Sequence, residues 1–190
     1  LPLKAIGDKW VWLRALPGIL HAIEEFPHGD LTPENIIIDN DFRYLHLIDP
    51  MVTINSESYI NRRGGEKFGS RVTIFLTTTQ FYPLSEPGSF DSDCRALGIM
   101  LYYKLTGADP FPGLHKPLWF EKEFMVPGVV APYGVLLSYF ISNFREPKEI
   151  NSSITAGENE LICALIRAGT NCDELVRLAS KVLAEIAQSR

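Results

Sequence analysis

Three side chains with oxygen donors surround a predicted β-hairpin. Asp30 and Asn35 lie in a polar loop before the apolar run 36–38, and Asp49 directly follows the run 44–48. An Asp-Asn-Asp turn between two runs rich in Ile, Leu and Tyr is typical of a hairpin. Because a hairpin brings the start of its first strand close to the end of its second, we expect Asn35 and Asp49 at one end, with Asp30 nearby.

Phosphoryl transfer is the chemistry that such donors could support. Hard oxygen ligands suit Mg²⁺, which proteins typically hold with one or two of their own groups together with substrate phosphates. A carboxylate that the metal does not use can accept a hydroxyl proton. Two structural alternatives stay open, because Asp30 and Asn35 could be ordinary turn formers and Asp49 could merely end a strand before Pro50.

The elements that position these residues begin with a helix at 8–26. Apolar residues recur there at three- and four-residue steps and predict one buried stripe. The stripe consists of Leu13, Leu16, Leu20, Ile23 and Phe26. Pro17 and Gly18 interrupt the pattern, so either two short helices meet there or one helix is kinked.

The rest of the chain alternates between irregular and helical patterns. Residues 49–90 have no steady period, and a loop of that length in a compact domain is usually functional. A helical period returns at 91–106, before Gly107 as a stop signal. Three further helices are predicted, at about 133–145, 158–168 and 173–188, the last with Asn171 as N-cap and Glu174 three residues on. The predicted fold class is mainly α with a small β-hairpin, in one domain over 1–190.

Composition narrows the class of protein. The chain has 190 residues, 46% of them hydrophobic and 22% charged, which excludes disorder as the main state. Its net charge of −5 argues against nucleic acid as the principal partner. The most apolar stretch, 129–144, contains Pro and Gly and is too short to span a bilayer, so no membrane partner is expected.

Cysteine and histidine usage predicts neither disulfides nor zinc. The three cysteines show no C-x-x-C spacing, which makes a disulfide framework or a thiolate zinc site unexpected and favours a reducing, cytoplasmic location. The histidines outside the polar loop are scattered without metal-ligand spacing. These residues are Cys94, Cys163, Cys172, His21, His46 and His115.

Several segments together resemble eukaryotic-type Ser/Thr protein kinases. HGDLTPEN at 28–35 resembles the catalytic loop HRDLKPEN of that family, and LID at 47–49 stands where its metal-binding Asp-Phe-Gly segment would be. DCRALGIMLY at 93–102, with TGADPF at 106–111, resembles the family's long central helix. An HGD loop alone also occurs in small-molecule phosphotransferases of the aminoglycoside kinase type, but the Leu-Gly helix and its Pro-Phe ending favour the protein kinases.

The resemblance implies a role for each matching residue. Asp30 would accept the proton of a protein Ser or Thr hydroxyl, and Asn35 and Asp49 would hold Mg²⁺–ATP. These three are the candidate catalytic residues, the last two also the candidate metal and cofactor ligands. His28, Asp93 and Glu86 would be structural supports, and Thr32 and Thr79 would face the substrate. Asp93 would anchor the catalytic loop, and Glu86 would pair with one of three arginines, namely Arg145, Arg167 or Arg177.

The resemblance also implies an organisation: catalytic loop 28–35, metal segment 49–51, activation-type loop 52–86 and central helix 91–106. Only about 27 residues precede the catalytic loop, and the sequence contains neither a G-x-G-x-x-G loop nor a Val-Ala-Ile-Lys strand. The expected identity is therefore a kinase-like C-terminal lobe without its N-lobe. The N-lobe segment of the same polypeptide is an expected partner, and the isolated chain is expected to be inactive.

Three departures from the family pattern keep a non-catalytic alternative open. Gly29 replaces the Arg that usually contacts an activation-loop phosphate, and Thr32 replaces a Lys that helps to hold the γ-phosphate. Pro50-Met51 replaces Phe-Gly, which stiffens the Asp49 segment. A pseudokinase-like module that binds a protein partner is therefore the second hypothesis.

Overall fold

A computed structural model describes residues 1–3, 7–39, 44–55, 73–76, 79–84, 87–112, 114 and 133–188. Within these ranges the chain is mainly helical, with two small antiparallel sheets of two strands each. The helices are α1 (Lys9–Glu25), α2 (Phe90–Thr106), α3 (Tyr133–Ser142), α4 (Pro147–Ile150), α5 (Ala156–Arg167) and α6 (Cys172–Gln188). The strands are β1 (Ile36–Ile38), β2 (Leu45–Leu47), β3 (Val52–Asn55) and β4 (Thr73–Leu76), and a 3₁₀ turn covers Thr79–Phe81.

The first helix, α1, is one continuous element. Asp8 caps it by accepting a hydrogen bond from Trp10 N at 2.9 Å, and Pro17 lies inside it. Of the two alternatives for the Pro-Gly step, a single helix is therefore the correct one. The predicted apolar stripe is buried except at Phe26, which is 73% exposed. The helix ends at Glu25, and Phe26 has extended backbone angles that turn its side chain away from the stripe.

The predicted hairpin is present as β1 and β2. Its antiparallel register pairs Ile36 with Leu47 and Ile38 with Leu45. Ile36 and Ile38 are buried, so this face of the hairpin packs on the core. The ladder continues one step further, because Ile48 N donates to Asn35 O at 3.0 Å. This bond fixes the start of β1 beside the end of β2.

A second strand pair lies in the segment predicted to be irregular. In β3 and β4 the register runs from Val52 opposite Leu76 to Asn55 opposite Thr73. The prediction of a single hairpin was therefore wrong. These two strands lie in a segment rich in Gly, Pro, Ser and Thr that has no steady alternation, so the sequence pattern did not indicate them.

The central helix α2 has the boundaries that its terminal residues dictate. Ser89 and Ser92 form a reciprocal capping box, with backbone-to-side-chain distances of 3.0 and 3.1 Å. At the other end Gly107 takes a left-handed conformation with φ of 69° and donates to Tyr103 O. The helix begins one residue before the predicted position and ends at the predicted one.

The C-terminal helices also follow their caps. Thr155 and Glu158 form a second capping box that begins α5, and Asn171 Oδ1 accepts from Glu174 N at 2.9 Å to begin α6. The short helix α4, which begins at Pro147, had not been predicted.

A link between distant parts of the chain comes from Lys9, whose Nζ lies 2.9 Å from the buried Glu158 carboxylate.

The core forms where α1 packs against α6 and α2 against α5. The closest approach of the second pair depends on Gly98. A Cβ atom at that position would lie 2.7 Å from Ile166 Cγ1 and 2.9 Å from Leu165 Cβ. None of the helices in the described ranges combines the length and the apolar character that crossing a membrane requires.

We predict that Gly98→Ala lowers the free energy of unfolding by about 1–3 kcal/mol, because the added methyl group forces α2 and α5 apart. Urea denaturation measures the change. Gly7→Ala is the matched control, since a Cβ there would meet no atom within 4 Å. Equal losses in the two variants would contradict the close packing of α2 on α5.

Candidate active site

The polar loop at 28–35 folds into a tight turn that fixes Asn35. Asn35 N donates to Thr32 O at 3.1 Å, and Thr32 Oγ1 lies 3.3 Å from the same nitrogen. The side-chain nitrogen of Asn35 donates to Asp30 O at 2.9 Å. The amide nitrogen is thus engaged, and the amide oxygen is the atom that Asn35 offers to a ligand.

Asp49 has an unusual backbone conformation at the end of the hairpin. Its φ is 53°, in the left-handed region that Asp and Asn tolerate better than other residues with a side chain. Pro50 follows and restricts the backbone of the residue before it. Such strain persists only where the surroundings hold it, and it is concentrated at functional sites.

His28 supplies part of that hold. Its side chain is 5% exposed, and its Nδ1 accepts from Asp30 N at 3.3 Å. A ring nitrogen that accepts leaves the proton on Nε2, which therefore donates to Ile48 O at 2.9 Å. Met51 N in turn donates to His28 O at 2.8 Å. His28 thus joins the polar loop to the chain on both sides of Asp49, through its imidazole before Asp49 and through its backbone carbonyl after it, which is a structural role.

Asp93, in the first turn of α2, holds the backbone of the polar loop through hydrogen bonds. Its carboxylate is 0% exposed and accepts from His28 N at 2.6 Å and from Gly29 N at 3.0 Å. A third hydrogen bond, of 2.7 Å, comes from the Tyr82 hydroxyl. Burial raises the pKa of the Asp93 carboxyl, and these hydrogen bonds oppose the rise.

Tyr82 is a residue of the site that the sequence did not reveal. Its side chain is 1% exposed and belongs to the core. Its hydroxyl, however, accepts from Leu31 N at 2.7 Å while it donates to Asp93. Burial and the Asp93 charge raise the pKa of this hydroxyl, so it remains a donor. The sequence offered only a general signal for this role, since the hydroxyl of a buried Tyr usually forms a hydrogen bond.

The three predicted catalytic residues line one open cleft of about 540 Å³. Its walls come from the polar loop, the end of the hairpin and the 3₁₀ turn. The lining residues are Asp30, Thr32, Pro33, Glu34, Asn35, Asp49, Gln80 and Phe81. Of these, Gln80 and Phe81 were missed by the sequence analysis. Among these eight described residues three are carboxylates and none is basic, and the carboxylates attract cations.

The donor set of the cleft suits a hard divalent cation. Asp49 offers a carboxylate and Asn35 an amide oxygen, and both are ligand types that Mg²⁺ accepts. The neighbouring Asp30 carboxylate belongs to the loop fixed by Asp93. The residues therefore fit Mg²⁺ bound together with phosphate groups.

Gly29 is required where it stands. Its φ is +71°, and a Cβ atom there would lie 2.8 Å from the Cβ of Met51. A larger side chain would therefore clash with the segment that follows Asp49. The two departures from the family pattern are therefore related, because Met51 occupies the space that an Arg side chain at position 29 would need.

The other predicted site residues have different placements. Thr32 is 5% exposed and its hydroxyl contacts the Asn35 backbone, so its substrate-facing role stays a prediction. Thr79 begins the 3₁₀ turn beside the cleft. Glu86 lies outside the described residues. The three arginines considered as its partners contact other carboxylates: Arg145 contacts Glu149, Arg167 contacts Glu146 and Arg177 contacts Glu174.

The sequence is similar to that of the serine/threonine-protein kinase PKH3 of Saccharomyces cerevisiae. The two are 29% identical over 129 residues, which is 59% of this chain and 14% of the yeast protein. The chain thus matches a small part of its relative's length. No family model matches the sequence. The comparison supports a relationship to the Ser/Thr protein kinases.

We predict that Tyr82→Phe lowers the free energy of unfolding by about 1–3 kcal/mol, because Leu31 N loses its acceptor and Asp93 loses a donor in a buried place. Chemical denaturation measures this loss. Tyr44→Phe, at a side chain that is 65% exposed, is the control and should leave stability unchanged. Unchanged stability of Tyr82→Phe would show that the hydroxyl does not support the loop.

Proposed function

We propose that the chain is the large lobe of a protein kinase-like domain that transfers the γ-phosphoryl group of ATP to Ser or Thr of a protein. One observation carries the proposal: Asp30, Asn35 and Asp49 line a single cleft. The buried Asp93 carboxylate, which fixes the loop beneath them, and the similarity to a yeast Ser/Thr protein kinase add support.

Each residue has a defined task in this proposal. Asp30 accepts the proton of the attacking hydroxyl, and its backbone is held by His28 Nδ1. Asn35 presents its amide oxygen and Asp49 its carboxylate as metal ligands. Mg²⁺, when bound, neutralises the charge of the transferring phosphoryl group. The contribution of the chain is to hold a proton-accepting carboxylate and two metal ligands in fixed positions relative to one another.

The isolated chain is proposed to be inactive. The resemblance assigns the Gly-rich loop and the phosphate-binding Lys to an N-lobe, and the sequence contains neither motif. Without a cover, the cleft leaves a bound nucleotide open to water, which weakens electrostatic stabilisation of the transition state. Activity therefore requires the longer polypeptide.

A non-catalytic module that binds a protein partner is the second candidate. The tight packing of Gly29 against Met51 favours it, because this arrangement has no room for the Arg of an activation-loop switch. Nucleotide binding discriminates between the two. A catalytic domain binds ATP in a Mg²⁺-dependent manner, whereas the module needs no nucleotide.

We predict that Asp30→Asn reduces phosphoryl transfer by the full-length protein about 10²- to 10⁴-fold, because the amide cannot accept the hydroxyl proton. Transfer of labelled phosphate to a panel of Ser/Thr peptides measures the rate. Asp91→Asn, at an exposed position in the first turn of α2, is the control and should retain activity. Equal rates for Asp30→Asn and the unchanged protein would contradict the proposed role.

We predict that Asp49→Asn weakens Mg²⁺-dependent ATP binding to the full-length protein about tenfold or more, since even changes beyond the direct ligands cost that much at metal sites. Calorimetric titration with ATP, in Mg²⁺ and in a metal chelator, measures the affinity. Asp91→Asn again serves as the control. If the unchanged protein binds no ATP in either condition, the non-catalytic module is the better description.

A further inference from the structure

A second group of metal-ligating side chains lies away from the cleft. His21 and Glu24 belong to α1, and Cys172 is the first residue of α6. One ligand atom from each of the three lies within 4.8 Å of the other two. The thiol Sγ of Cys172 is 3.7 Å from Nδ1 of His21. Among the His, Cys, Asp and Glu residues that the structure describes, this is the group of three whose ligand atoms lie this close together.

The packing of two helices creates this group. His21 and Glu24 are three residues apart and therefore share one face of α1. The Asn171 cap begins α6 at Cys172, and α6 packs along α1. Cys172 is 1% exposed, whereas His21 and Glu24 are exposed. The ligand atoms thus lie at the exposed edge of the α1–α6 pair, which an ion can reach from solvent.

The spacing of the donors matches a tetrahedral cation. With Zn–S of about 2.3 Å and Zn–N of about 2.1 Å, a tetrahedral angle separates sulfur from nitrogen by roughly 3.6 Å. The observed separation of Sγ and Nδ1 is 3.7 Å. Thiolate, imidazole and carboxylate are the three ligand types that Zn²⁺ combines most often, whereas Mg²⁺ prefers oxygen alone.

We propose that His21 Nδ1, the Glu24 carboxylate and the Cys172 thiolate bind one Zn²⁺ ion, with solvent in the fourth position. The site is separate from the proposed phosphotransferase cleft, whose proposed metal ligands, Asn35 and Asp49, offer oxygen atoms. Its effect is to join α1 to α6 across residues that are 151 positions apart in the sequence. An ion that binds only the folded chain stabilises it.

Binding must displace the thiol proton. Burial, with a hydrogen bond to Glu24 and its charge, raises the pKa of Cys172 to about 11. Asp173 adds negative charge, and the Cys94 thiol on α2, whose pKa burial also raises, is a further titratable neighbour. Each Zn²⁺ therefore releases one proton from Cys172 at neutral pH.

The test is a metal titration of the intact protein after treatment with a chelator. Zn²⁺ affinity is measured by competition with a chromophoric chelator, and Co²⁺ serves as a spectroscopic probe. We expect one Zn²⁺ that raises Tm, and a thiolate-to-Co²⁺ charge-transfer band in the near ultraviolet. His21→Gln and Glu24→Gln should each weaken binding about tenfold or more, and Cys172→Ser should abolish the band.

Matched controls separate this site from general metal binding. Glu25→Gln changes the next exposed carboxylate on α1, and Cys163→Ser removes a different buried thiol. Both should keep the affinity and the band. Because His21 and Glu24 are exposed, their variants are expected to fold even if Cys172→Ser does not. Wild-type affinity in His21→Gln and Glu24→Gln, or no thiolate band in the unchanged protein, would overturn the proposal. Asp49→Asn should have no effect on the band.

Discussion

The Asp93 carboxylate, fully buried near the start of α2, is the contact on which the candidate active site depends. The loop that carries Asp30 has no regular secondary structure, so its backbone N–H groups need partners from elsewhere. Asp93 and the Tyr82 hydroxyl satisfy the N–H groups of His28, Gly29 and Leu31. Hydrogen bonds to a charged acceptor are about twice as strong as neutral ones, which offsets part of the desolvation of the carboxylate.

A second constraint acts through the hairpin. The ladder that ends with Ile48 N on Asn35 O brings the two proposed metal ligands to one end of the β1–β2 pair. His28 then binds Ile48 O, and the chain takes a left-handed turn at Asp49. A small sheet and one buried imidazole thus position the proposed metal ligands, while helices supply the surrounding core. This division allows loop chemistry to vary without disturbing the packing.

Local signals predicted most of the secondary structure. The Asn171 cap and the helical periodicity are short-range patterns, and the helices predicted from them begin within two residues of the observed starts of α2, α5 and α6. The pair β3 and β4 was missed because its strands are separated by many residues and, unlike β1 and β2, are not joined by a short turn that the sequence pattern reveals. Phe26 had the right spacing for the stripe but lies beyond the end of α1, which spacing alone does not reveal.

The sequence by itself determined which oxygen donors meet at the cleft, because residues before the first and after the second strand of a hairpin lie at the same end. The tertiary structure decided the rest. Only folding brings Tyr82 to Leu31, and only the packing of α1 on α6 brings His21 to Cys172, whose separation in the chain hides any spacing pattern. Such contacts depend on how whole elements pack, and the free energy of that packing is spread over many side chains that no short motif contains.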